Sequence, residues 1–154
     1  MRLSPSTAST ALFLGLLLAL SAGSVFATEA AVDLRFYEML RRPAGPRGVE
    51  FSAKLLAAQG QRVRIAGFMV HEDQAKPGRF LLAPVPLEQS DDESSDLPVS
   101  VVTVLLDPAQ AQRIVHAARG PITLEGRLEL GRREAVDGSV SWLRLQLDPD
   151  ALAP

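Results

Sequence analysis

Apolar and polar residues alternate along Gly60–Val70, whose sequence is GQRVRIAGFMV. Val63, Ile65 and Met69 fall on one side of this alternation, and the arginines fall on the other. A period of two residues is typical of a β-strand with one buried face. Pro121–Gly131 has the same pattern, and each stretch contains a glycine in its middle, which suits a sharply coiled strand. We therefore predict two strands of a strongly curved sheet.

Three further segments have the composition of strands. Arg79–Val85 and Val99–Leu106 are apolar on both faces, so both faces should be covered in the folded protein. The N-terminal helix of the same chain or another protein could supply that cover. The last segment, Ser139–Leu147, follows an Asp137–Gly138 pair, which favours a hairpin turn.

Helical signals occur in three places. Before the first strand, we predict a helix at Leu34–Arg42, with Asp33 as its N-cap, and another at Ala53–Ala58, with Ser52 as its N-cap. Between the third and fourth strands, an Asp-Pro pair begins a longer predicted helix over residues 108–119, which has an apolar stripe. This last helix is expected to cover an opening of the sheet.

The order of the predicted elements favours one fold class. One or two short helices precede three strands, a helix and two strands, which is the order of an oligonucleotide/oligosaccharide-binding (OB) fold. We therefore predict a mainly β protein with an OB-fold-like five-stranded Greek-key barrel and a helix between strands 3 and 4. The predicted organisation is an N-terminal helical segment at 28–59, the barrel at 60–148 and a flexible tail at 149–154. A two-layer sandwich of sheet and helices is the alternative.

The first 27 residues have the three parts of a secretory signal peptide. Arg2 precedes an apolar run from Ala11 to Ala22, and Val25-Phe26-Ala27 provides small residues for cleavage after Ala27. The apolar run is well short of the roughly 20 residues that a membrane-spanning helix needs, so removal is favoured over anchoring. We expect a periplasmic or secreted protein with no integral membrane span in its mature form.

Composition excludes some classes of function. The formal net charge is −2, whereas nonspecific nucleic-acid binding derives its affinity from excess basic charge, so no nucleic-acid partner is expected. The chain has no cysteine, and its stability must therefore come from the apolar core. It also has no GxSxG motif and no glycine-rich phosphate loop, and its two histidines leave few ways to build a triad. We expect a protein without enzymatic activity and without a cofactor.

Gly60–Val99 contains motifs that suggest a family. The strand G-x-x-V-x-I-x-G and the strand FLL-x-P resemble those of a family of uncharacterised exported bacterial proteins with an OB-like domain. The family's Cys-His-Pro-rich segment is missing here, and the acidic segment Glu88–Asp96, EQSDDESSD, stands in that region. The resemblance implies an OB-like domain in the cell envelope and an association with metal uptake.

Four residues form the predicted ligand or partner surface. Trp142 is out of phase with the leucines of its strand, so it should share a face with Arg144. A tryptophan beside an arginine can stack sugars or bases, or anchor a protein partner. Arg64 and Phe68, on the polar side of the first strand, complete this surface. For Trp142, packing beneath the N-terminal helix is the alternative to this role, and it is the one that is favoured.

His71, Glu72 and Asp73 are the candidate metal ligands. They follow the first strand and, together with the acidic segment, supply the nitrogen and carboxylate ligands used by zinc or calcium. A solvated turn is the alternative, because the other histidine, His116, lies on the predicted 108–119 helix.

Three hypotheses for function follow from these observations. The first is a non-enzymatic binding or accessory module of the bacterial cell envelope, which meets an envelope protein or a small ligand. The second is a periplasmic metal-handling protein associated with zinc uptake. The third is an unrecognised hydrolase.

Overall fold

The structure is a computed structural model that describes residues 30–46, 48–89, 98–149 and 151–152. The predicted signal peptide and residues 90–96 of the acidic segment lie outside the described residues. The described part is mainly β. Its strands are β1 (Val32–Asp33), β2 (Arg62–Met69), β3 (His71–Glu72), β4 (Arg79–Ala83), β5 (Glu88–Gln89), β6 (Val102–Leu105), β7 (Pro121–Glu134) and β8 (Val140–Leu147). Its helices are α1 (Phe36–Met39), α2 (Ala53–Ala57) and a 3₁₀ turn (Pro108–Gln110).

Six strands form one mixed sheet in the order β1-β2-β4-β6-β8-β7, and β2 also pairs with β7. The five longer strands therefore form a closed cycle of pairings. Strands β2 and β7 are antiparallel, with Ile65 opposite Leu124. Strands β6 and β8 are parallel, with Val104 opposite Leu145, whereas the remaining pairings in the cycle are antiparallel. Strands β3 and β5 form a separate parallel pair.

The alternation predicted for the first strand is confirmed, because Val63 and Ile65 are buried and Arg64 is exposed. The two mid-strand glycines are required by close approach of neighbouring strands. A Cβ atom at Gly67 would lie 2.7 Å from the carbonyl oxygen of Ala83. One at Gly126 would overlap the carbonyl oxygen of Gln146 on β8. Any larger residue would push the paired strands apart.

The N-terminal segment contributes to the same core as the sheet. Leu34, Met39 and Leu55 are fully buried in one cluster with the inward side chains of the strands. The hydroxyl of Ser52 accepts a hydrogen bond from the Leu55 N–H at 3.1 Å, as expected of the N-cap of α2. The same hydroxyl donates to the carbonyl of residue 38 at 2.5 Å, which joins α1 to α2. Leu34, α1 and α2 therefore contribute buried side chains to the core.

The first helix is shorter than predicted. It begins after Arg35, so the prediction that Asp33 is its N-cap is wrong. Asp33 belongs to β1, which pairs with β2, and the N–H of Leu34 donates to the carbonyl of Arg64 at 2.9 Å. Because these backbone groups are used in strand pairing, a helix cannot begin there.

The predicted helix over residues 108–119 is also wrong. Asp107 does cap its first turn, accepting from the N–H of Ala109 at 2.9 Å, but only the 3₁₀ turn forms. The carbonyl of Arg113 accepts instead from the N–H of Gly78 at 2.9 Å, and the N–H of Ala118 donates to the sulfur of Met69 at 3.4 Å. Backbone groups that would continue the helix are thus bonded to other elements. Of the predicted stripe, residue 115 packs against the core, whereas residues 111, 114 and 118 are exposed.

The outer face of β4 is covered by the chain itself. Leu81 and Ala83 form a second apolar cluster with Val70 and Val101, and Leu87 packs against it. The N-terminal helices instead pack in the main core. The apolar surface expected on this strand is therefore closed to a partner.

The C-terminal segment also contacts the body of the protein. Leu152 packs against the core, and its carbonyl accepts a hydrogen bond from Arg113 at 3.2 Å. Gln110 donates to the carbonyl of Pro149 at 2.9 Å. Across the described residues, no helix has the length and apolar character needed to cross a membrane.

Candidate binding surface on the β7–β8 hairpin

Strands β7 and β8 form a long hairpin whose pairing is interrupted once. The register passes from Leu130 opposite Leu143 to Arg133 opposite Ser141. Two residues of β7 therefore lie opposite Trp142 alone, which is the arrangement of a β-bulge. Bulges redirect side chains, and this bulge lies opposite Trp142, which is one of the predicted contact residues.

Trp142 is 42% exposed, so the alternative of packing beneath the N-terminal helix is not what the structure shows. Arg132, one of the two bulge residues, donates to a carboxylate oxygen of Glu134 at 3.0 Å. Glu134 is opposite Val140, which shares a face with Trp142 because the two are separated by two positions on β8. We call Arg132, Glu134, Val140 and Trp142 the hairpin face. It combines exposed apolar and charged groups.

Arg144 has a different environment from the one expected. It is only 5% exposed. Its Nη1 donates to the carbonyl of Gly131 at 2.7 Å and to the carbonyl of Ser141 at 3.3 Å, and its Nε donates to Glu129 at 3.2 Å. The guanidinium therefore bonds to its own hairpin and is not an exposed partner of Trp142.

Arg64 and Phe68 lie elsewhere on the sheet. Arg64 is opposite Glu125 on β7, whereas Trp142 lies opposite the bulge that follows residue 130. At a rise of about 3.3 Å per residue, the five intervening positions correspond to roughly 17 Å along the strand. Phe68 is farther still, opposite Pro121, and is partly buried. The structure therefore does not bring these two residues to Trp142.

Arg64 belongs to a chain of ion pairs across three strands and the end of β8. Its Nη2 lies 2.6 Å from Glu125, and its Nη1 lies 3.4 Å from Asp33. Arg62 lies 3.2 Å from Glu125 and 2.8 Å from Asp148. The hydrogen bond from Arg64 is the main reason that the pKa of Glu125 is lowered, although desolvation opposes it.

A depression of about 450 Å³ lies beside this chain of ion pairs and is lined by Arg62, Thr123, Glu125, Asp148, Pro149 and Ala151. Its charged groups form ion pairs with one another. Arg62 uses its Nη1 on one carboxylate and its Nε and Nη2 on the other. The depression therefore offers a ligand no uncommitted charge on this arginine.

The predicted metal ligands do not converge. Alternation along the chain places His71 and Asp73, both exposed, on the opposite side from Glu72. Glu72 is largely buried and lies 3.4 Å from Arg79. Desolvation raises the pKa of Glu72, and this effect outweighs the opposing charges of Arg79 and Lys76. Within the described ranges, no group of three or more metal-binding side chains comes together.

The turn of the hairpin is anchored to a neighbouring loop. Asp137 forms an ion pair with Lys76, which precedes β4. It also accepts from the hydroxyl of Ser139 at 2.6 Å and from the N–H of Ser139 at 3.0 Å. These contacts, the one with Lys76 foremost, lower the pKa of Asp137. The turn of the hairpin is thus held to the loop that precedes β4.

No protein-family model matches the chain, and no curated protein matches it either. Among solved structures, the chain is similar to a DUF3299 family protein from Pseudomonas aeruginosa. The TM-score is 0.45 and the sequence identity is 13%, over 76% of this chain and 92% of that one. A likeness at this level supports no inference about function.

Sequence reasoning missed Arg132 and Glu134. The signal available was Gly131 within an otherwise regular strand, which indicates a bulge. Its φ of 108° lies in the left-handed region that favours glycine. Recognising the bulge would have changed which arginine is assigned to the exposed face with Trp142.

Proposed function

We propose that the five-strand cycle is an OB-like β-barrel and that the chain is a non-enzymatic binding or accessory module of the bacterial cell envelope. Two features of the pairing support the barrel. When the five strands are counted in chain order, the first and fourth, β2 and β7, pair along seven positions. The third and fifth, β6 and β8, pair in parallel. A sheet in which each of these five strands has a partner on both sides has no open edge within the cycle.

The exposed Trp142 carries the proposal of binding. Tryptophan is among the residues that contribute most energy to protein interfaces, and it is highly buried on average in folded proteins. Arg132, opposite it, adds a cation that can bond to a partner's carboxylate or carbonyl groups. Small-molecule sites are concave, whereas the hairpin face lies outside the depression beside Arg62. A small molecule is therefore not the ligand that we propose for this face. An envelope protein is therefore the partner that we propose.

The proposed location in the envelope rests on the signal-peptide pattern of residues 1–27. The metal-handling hypothesis lacks support from the described residues, because Glu72 pairs with Arg79 and lies on the opposite side of the chain from His71 and Asp73. The hydrolase hypothesis has no particular observation in its favour.

The test is capture of a partner from the periplasm of the source organism. The chain is tagged at its C-terminus, recovered from the periplasmic fraction after brief cross-linking, and compared with Trp142→Ala. Tyr37→Ala is the matched control, because Tyr37 is an exposed aromatic residue, 58% exposed, on α1. We expect the same partner with wild type and Tyr37→Ala, and at least a tenfold loss with Trp142→Ala, since truncating such a residue costs 2 kcal/mol or more at many interfaces.

Two results would contradict the proposal. One is recovery of the chain only in the cytoplasm with residues 1–27 still attached, as read from its intact mass. The other is an equal yield of the same partner with the wild type and Trp142→Ala.

A further inference from the structure

The bulge opposite Trp142 needs support from outside the strand ladder. A bulge leaves one residue unpaired and disrupts the regular backbone hydrogen bonds around it. The carbonyl of Gly131, inside this bulge, accepts from Nη1 of Arg144 at 2.7 Å. The arginine therefore supplies a donor at the point where the ladder is interrupted.

The same guanidinium also bonds to a residue of its own strand, β8. Its Nη1 lies 3.3 Å from the carbonyl and 3.2 Å from the hydroxyl oxygen of Ser141, the residue before Trp142. The Ser141 hydroxyl in turn donates to the carbonyl of Arg133 at 3.4 Å. Thus one side chain contacts β7 at the bulge and β8 next to the tryptophan.

Burial makes these contacts stronger than those on the surface. Arg144 is 5% exposed, and hydrogen bonds are strengthened in a low-dielectric environment. Its charge is compensated by Glu129 at 3.2 Å. By contrast, both side chains of the Arg132–Glu134 pair are 55% exposed, and such surface pairs contribute little. The geometry of the bulge therefore depends on Arg144 more than on the exposed ion pair.

We propose that Arg144 is a positioning residue, which fixes the bulge and thereby holds Trp142 outward on the hairpin face. This inference rests on the proposed function, because the position of Trp142 matters for binding only if the hairpin face contacts a partner. It reassigns Arg144 from a contact residue to the support of one, and it leaves Arg132 as the exposed cation opposite Trp142.

The test uses no ligand, so its outcome is independent of whether the partner is found. Trp142 is the only tryptophan of the chain, and its fluorescence therefore reports on this position alone. We would compare wild type with Arg144→Gln by the fluorescence anisotropy of Trp142, by amide exchange at residues 131–133 and by the melting temperature. The matched control is Arg133→Gln, because Arg133 also reaches Glu129, at 3.4 Å, but is exposed.

We expect Arg144→Gln to lower the anisotropy of Trp142 and to speed amide exchange at residues 131–133 about tenfold, since the hydrogen bonds from Nη1 to Gly131 and Ser141 are lost. The Arg133→Gln variant should match wild type in anisotropy and in exchange at residues 131 and 132. A lower melting temperature with unchanged anisotropy and exchange would show that Arg144 merely stabilises the fold, and it would overturn the proposal.

A second variant keeps the proposal testable if Arg144→Gln does not fold. Ser141→Ala removes the hydroxyl contact but leaves Arg144 paired with Glu129. We expect a change in the same direction, about threefold in amide exchange. Wild-type anisotropy and exchange in a folded Ser141→Ala protein would then overturn the proposal.

Discussion

At the scale of single residues, Gly126 shows how closely the strands approach one another. A methyl group there would overlap a backbone oxygen, which cannot rotate away as a side chain can. We predict that Gly126→Ala lowers the free energy of unfolding by about 1–3 kcal/mol, the usual cost of overpacking. Gly45→Ala is the control, because its new methyl group would meet the flexible side chain of Glu50. Urea denaturation of both variants provides the measurement, and equal midpoints would contradict the prediction.

Individual residues also show what sequence patterns can predict. Alternation placed Trp142 and Arg144 on one side of β8, but it carries no information on how far each is buried. The burial of Arg144 depends on the bulge after Leu130, because its guanidinium bonds to the backbone there. A bulge is determined by how two strands pair, which the sequence of one strand does not specify. The face of the strand was therefore predictable, whereas the exposed cation of the candidate site was not.

At the scale of elements, a chain of ion pairs joins β1, β2 and β7 through Arg64 and Glu125. The pKa of Glu125 is lowered in the folded protein, so the folded state binds fewer protons than the unfolded state near this pKa. Its stabilisation is present above the unfolded pKa of about 4.3 and is lost as the pH falls.

We therefore predict that the free energy of unfolding depends less on pH in Glu125→Gln than in wild type when the pH is lowered. Urea midpoints measured from about pH 6 to pH 3 should fall less steeply for Glu125→Gln than for wild type. Glu88→Gln, which changes an exposed carboxylate outside this chain of ion pairs, should follow wild type. Superimposable profiles for wild type and Glu125→Gln would count against the ion-pair account.

Elements with strong periodicity were predicted well, and those that depend on distant partners were not. The five longer strands lie within a few residues of their expected limits, because alternation is a property of the strand itself. The segment 108–119 has a helical pattern, yet short helices are marginal without tertiary support. In this protein, backbone groups of the segment form hydrogen bonds with Gly78 and Met69 instead of with one another.

At the scale of the whole molecule, the sheet and the N-terminal helices share one core. Met39 and Leu55 are as deeply buried as Leu143 and Leu145 of β8. Both helices contribute buried side chains to that core, whereas of residues 108–119 residue 115 packs against it. The sequence could not show this, because a short amphipathic helix has no signal for the side of a sheet on which it packs.

The central claim is that five strands pair in a closed cycle, since the bulge and the hairpin face take their positions from it. The most direct measurement is a set of cross-strand nuclear Overhauser effects in the protein lacking residues 1–27. We expect contacts of parallel strands between Val104 and Leu145, together with contacts of antiparallel strands between Ile65 and Leu124. Absence of either set from a folded protein would mean that the cycle is open, and it would contradict the account.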